Sequence, residues 1–78
     1  MLKLKDIAIV NNIISMVVLI EGDANRAYKL KLDKNTEWLS VIETEIPEEY
    51  KIYERQASMA LLEYKGGTFP SETTSMWG

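Results

Sequence analysis

Seventy-eight residues, 46% of them hydrophobic and 27% charged, with a net charge of −3, describe a single ordered domain with a small core. A chain this size buries only about 60% of the surface its unfolded form exposes. There is no Cys and no His, which removes disulfide staples, thiol nucleophiles, Cys-type zinc sites and the commonest general acid/base and metal ligand. The charge is too mild for an acidic nucleic-acid mimic and has the wrong sign for a nucleic-acid binder. The composition therefore points away from an enzyme and from a cofactor.

The first element to interpret is IAIVNNIISMVVLI, residues 7–20. A transmembrane helix needs about 20 predominantly apolar residues, and this shorter run is interrupted by Asn11 and Asn12. A secretory signal over residues 1–24 would use Lys3 and Lys5 as its basic region and Gly22-Asp23-Ala24 as its cleavage site. Asp6, the asparagine pair, Glu21 and Asp23 all stand against that reading. The expectation is no membrane segment and a cytoplasmic protein.

Ile, Val and Met favour buried strands, and Asn tolerates left-handed backbone. The run therefore reads as a hairpin with strands over about 2–10 and 13–20 and a two-residue type I′ turn at Asn11-Asn12. This register sets Ile9 opposite Ile14 and Ile7 opposite Met16. Leu2 and Leu4 have the wrong parity for that face, and a bulge near Lys5-Asp6 restores them to it. The loop EGDANR, residues 21–26, leads to AYKLKLD, which alternates cleanly: Tyr28, Leu30 and Leu32 on one face, Lys29, Lys31 and Asp33 on the other.

A turn at Lys34-Asn35 then predicts a fourth strand over about 37–44. It would pair Leu30 with Leu39 and Tyr28 with Val41, with Leu39 and Val41 inward and Trp38, Ser40 and Ile42 outward. Pro47 opens a helix with Glu48 and Glu49 in its first turn, where the dipole favours anions. The stripe Tyr50, Tyr53, Ala57, Ala60, Leu61, Tyr64 follows helical spacing, and Gly66-Gly67 ends it. Phe69, Met76 and Trp77 imply that part of the tail docks. The expected architecture is α+β: a four-stranded antiparallel β-meander with one C-terminal α-helix packed on one face. Residues 1–67 would form the domain and residues 68–78 a docked tail. The inner face would gather Ile7, Ile9, Ile14, Met16, Val18, Ile20, Tyr28, Leu30, Leu39 and Val41.

One helix covers one face, so the outer face becomes the leading candidate site. Val17 and Leu19, with Trp38 and Ile42 nearby, make a possible homodimer or partner surface. Lysine stems from Lys29 and Lys31, or the tail, are the alternative cover. Two other constellations compete. Lys29, Lys31 and Trp38 form a basic-aromatic set suited to single-stranded nucleic acid, but alternating lysines on a half-exposed strand are more often a solvated face. The acidic segment with Glu43, Glu45, Glu48 and Glu49 would hold a hard cation or support carboxylate chemistry. It shows no EF-hand-like ligand spacing, and a helix N-terminus beside a strand edge explains it as well. No phosphate loop, nucleophile elbow or metal-ligand cluster is present, and Ser58 has no evident base.

The segments LKLKDI at 2–7, IYERQASMAL at 52–61 and SMWG at 75–78 resemble a family of short, uncharacterised bacterial proteins of about this length. The resemblance implies a β-meander, one helix and a closing Met-Trp end. Relatives often have a His early in the helix, where this chain has Glu54, Arg55 and Gln56, so a possible polar site is missing. The resemblance implies no activity. The functional expectation is a small non-enzymatic protein-interaction module, with homodimerisation as one form. It needs no cofactor and no metal, and its partner is itself or another protein.

Overall fold

A computed structural model describes residues 1–76. The chain order is β1 (Leu2–Val10), β2 (Ile13–Ile20), β3 (Ala27–Asp33), β4 (Val41–Thr44), a 3-10 turn (Glu48–Tyr50), α1 (Ile52–Leu62) and β5 (Thr73–Ser75). The fold is α+β. Five strands form one antiparallel sheet in the order β4-β3-β2-β1-β5, one strand more than the meander expected from sequence.

The first hairpin forms as its residues dictate. Asn11 and Asn12 both take positive φ, 53° and 63°, the type I′ geometry whose twist matches the flanking strands. Ile9 faces Ile14, and the register shifts between Lys5 and Ala8. Asp6, at φ 55°, occupies that bulge, and an Asp tolerates the left-handed region better than most residues. The bulge brings Leu2 and Leu4 onto the core face, where both are fully buried.

The core gathers Leu2, Leu4, Ile7, Ile14, Met16, Val18, Ile20, Leu30 and Leu32 from the first three strands. Ala57 and Leu61 of α1 close it, together with Leu39 and Ile46. Each fully buried Leu or Ile contributes about 1.5–3 kcal/mol relative to an exposed one. Ile9 and Tyr28, expected inside, lie at its half-buried margin with Tyr50, Tyr53, Tyr64 and Phe69.

The fourth strand departs from expectation. It begins at Val41, and its register pairs Leu30 with Thr44, Lys31 with Glu43 and Leu32 with Val41, with a bulge between Lys31 and Leu32. The expected Leu30–Leu39 and Tyr28–Val41 pairs do not form. Residues 34–40 make a loop instead, closed by the Asp33 N–H donating to the Ser40 carbonyl at 2.8 Å. Local side-chain bonds drive this. Asp33 Oδ1 accepts from Asn35 N at 2.9 Å, Thr36 Oγ1 donates to the Asp33 carbonyl at 3.0 Å, and Ser40 N donates to Thr36 Oγ1 at 2.7 Å. Short polar side chains offer the backbone such turns in place of a ladder. Leu39 still points inward and is fully buried, but from a loop position at φ 54°. Val41, expected inside, is 40% exposed.

The helical region also divides. Pro47 precedes a 3-10 turn, and α1 starts only at Ile52. The tail reaches the body as a strand: Thr73–Ser75 pairs with Leu4, Lys3 and Leu2 at the β1 edge. Upstream of it, Phe69 packs against the core beside Tyr64, with ring centroids 6.2 Å apart. Met76 is exposed. The expected docking of Trp77 lies outside the described residues. Among the described residues no helix is long and apolar enough to cross a membrane.

Candidate functional site

The helix sits off-centre. Its sheet contacts are chiefly with β1 and β5, so the β4 end of the inner face is left to the 34–40 loop. Leu39 plugs the core there. Between the loop and α1 a groove of about 520 Å³ remains. Trp38 and Val41 line one wall, and Met59 and Leu62 the other, with Arg55 and Glu54 beside them on the helix and Lys51 just before it. The helical lining positions recur three and four residues apart, so they share one face of α1.

Hydrogen bonds fix the loop wall to the helix. Ser58, buried in the helix, donates from Oγ to the Leu39 carbonyl at 3.0 Å. Lys65 Nζ, just past the helix, donates to the Thr36 carbonyl at 2.6 Å and the Glu37 carbonyl at 3.3 Å. Trp38 lies between these anchors and is 68% exposed; Met59 opposite is 58% exposed. Ile52, two turns before Met59 on the same helix face, is exposed as well. The charges are unevenly paired. Lys51 Nζ meets Glu54 Oε2 at 2.9 Å, whereas the Arg55 side chain makes no ion pair or hydrogen bond among the described residues.

The outer-face candidates are placed differently. Leu19 is buried at 5% exposure, flanked in register by Lys3 and Ala27, and Val17 is half-buried between Lys5 and Lys29. Leu19 therefore offers no exposed surface for an interface, and Val17 offers little. A shallow depression of about 160 Å³ lies over this face, lined by Asp6, Ser15, Val17, Lys29 and Lys31 among others. Trp38 lines the other groove, so the structure does not bring the basic-aromatic set together in one cleft. Lys31 Nζ lies 3.6 Å from Glu43 Oε2. Ile42 is 50% exposed on β4, next to Val41 at the groove. Of the four residues singled out from sequence, Trp38 lines the groove, Val17 and Leu19 lie on the outer sheet face, and Ile42 is exposed on β4 at the bulge.

The acidic segment does not converge. Among the described residues no three carboxylates lie close enough to share a metal ion. Glu45 Oε1 accepts from the Lys29 backbone N–H at 3.1 Å, and Glu43 faces Lys31.

A second polar cluster, with no signature in the sequence pattern, joins the 21–26 loop to the start of α1. The Tyr53 hydroxyl donates to Glu21 Oε1 at 2.6 Å, and the amino group of Met1 lies 3.1 Å from Glu21 Oε2. The Tyr53 hydrogen bond, then that of the amino group, holds the Glu21 carboxyl below its ordinary range. The same bond from Glu21 raises the Tyr53 phenol. Asp23 is lowered first by the Asn25 backbone N–H and then by Arg26, whose Nε lies 3.1 Å from Asp23 Oδ2. The Arg26 guanidinium stacks 5.9 Å from the Tyr50 ring. This cluster pins a loop to a helix. The periodicity of sequence carried no signal for it, because its members belong to separate elements.

Comparison of the chain with protein-family models, with curated proteins and with solved structures finds no match.

Proposed function

We propose that the protein is a small, non-enzymatic protein-interaction module that receives its partner in the groove between the 34–40 loop and α1. The observation that carries this is Trp38, an indole 68% exposed on a segment bonded to the helix region on both sides. Single exposed apolar side chains are ordinary on protein surfaces. Here Trp38, Val41 and Met59 share one concavity, and a tryptophan within an apolar hollow has the composition of a binding hot spot. The outer sheet face is the weaker surface, since Leu19 is buried. In this reading the protein works in the cytoplasm, and the occupant is another protein or a second copy.

The test is co-purification from the native host with wild-type, Trp38→Ala and Met59→Glu chains. The reading predicts a protein, or a second copy of the chain, that wild type retains and both variants lose. The same retained set for all three would overturn it.

A further inference from the structure

Resting on that reading, we propose that the groove takes an extended peptide segment of another protein. The segment adds to the sheet as a strand beside β4, places an apolar side chain against Trp38 and Met59, and presents a carboxylate to Arg55. Three observations carry this. First, β4 is an edge of the sheet. Glu45 N donates to the Lys29 carbonyl, and the register sets Leu30 opposite Thr44. The alternation of an antiparallel ladder then turns the Thr44 N–H and C=O away from β3, towards the open side. An unpaired edge is a template for a further strand.

Second, the open edge adjoins the groove, because Val41 belongs to both. A strand laid along β4 alternates its side chains, so every second one turns to the helix side of the sheet. The hollow between Trp38 and Met59 lies on that side.

Third, the charges of the lining do not cancel. Lys51 neutralises Glu54, and Arg55 is exposed and unpaired among the described residues. The guanidinium fork suits a carboxylate. The short length of β4 and its bulge limit the pairing to a few residues, which suits a linear segment better than a long sheet edge.

The test uses the full chain and a displayed library of random octapeptides. Selected peptides are expected to alternate apolar and polar residues and to carry an acidic residue. A synthetic copy of one should shift the amide resonances of Val41 and Thr44 and the indole of Trp38. N-methylation of one alternate set of its amides should abolish binding while the other set is tolerated, since a strand pairs on one edge only. Arg55→Gln, an exposed change, should weaken binding roughly tenfold. Peptides with helical apolar spacing, tolerance of both N-methylated sets, or full binding to Arg55→Gln would overturn this inference. Shifts still centred on Trp38 and Met59 would then leave the groove reading standing. Failure to enrich any peptide, or binding elsewhere on the surface, overturns this inference, while co-purification with the Trp38→Ala and Met59→Glu chains decides the groove reading separately.

Discussion

Leu19 on the outer sheet face is 5% exposed, while Trp38 at the mouth of the groove is 68% exposed. Both are large apolar residues in a chain with little core to spare. Leu19 belongs to a central strand with neighbours on both sides, and its register places Lys3 and Ala27 next to it. Long lysine stems cover apolar surface while their charges stay in water. Trp38 sits on a loop where the helix has moved off towards β1 and β5, and its neighbour Leu39 takes the inward position. A two-faced strand can thus be covered by its own sheet, whereas an off-centre helix leaves a vacancy at the far edge.

The largest effect expected separates Leu39 from Trp38, adjacent residues with opposite burial. Leu39→Ala should cost about 2–5 kcal/mol in urea unfolding, as a fully buried Leu does. Trp38→Ala should change stability by no more than about 0.5 kcal/mol. Equal losses would mean that Trp38 is packed after all. Next comes the anchor. Ser58→Ala leaves the Leu39 carbonyl without its donor and should cost about 1–3 kcal/mol. Faster amide exchange confined to residues 36–40 would locate the loss in the loop wall.

A smaller effect tests the tight turn against the loop. Asn12 at φ 63° holds a left-handed position, so Asn12→Ala should destabilise by about 1–2 kcal/mol and Asn12→Gly should not. Thermal melts of both variants would check this. The smallest effect is one of pH and concerns the 21–26 cluster. Glu21 and Asp23 are held below their ordinary values of 4.5 and 3.8. Their stabilising contribution is therefore complete above those values and is lost as pH falls through the lowered folded ones. Tyr53 is raised above 10.0, so its share is present below that value and lost as pH rises through the higher one. Glu21→Gln should flatten both limbs of a stability–pH profile, and an unchanged profile would remove the Glu21–Tyr53 bond from the account.

Much of the sheet was legible because its signals are local. Two asparagines gave the turn, the parity of Leu2 and Leu4 against Ile7 and Ile9 gave the bulge, and strict alternation gave β3. The fourth strand is shorter than its pattern suggests because Leu39 is apolar at a spacing that suits a strand, and nothing in periodicity reveals a positive φ. The signal that was present lay in Asp33, Asn35, Thr36 and Ser40, the short polar residues whose bonds build the loop. The β-branched pair Thr73 and Thr74 was the corresponding sign of β5. The groove was not legible at all. It depends on where α1 rests along the sheet, a property of the packed whole. Trp38 and Ile42 are exposed as their sequence positions suggest, but Trp38 lines the groove on the helix side and not the outer face.

If the groove, and not the outer face, meets other proteins, photo-crosslinking in the native host will show it, with a benzophenone amino acid placed at Met59 or at Val17. A covalent adduct is expected from position 59 and none from position 17. An adduct from 17 and none from 59 would contradict it and return the interface to the outer face of the sheet.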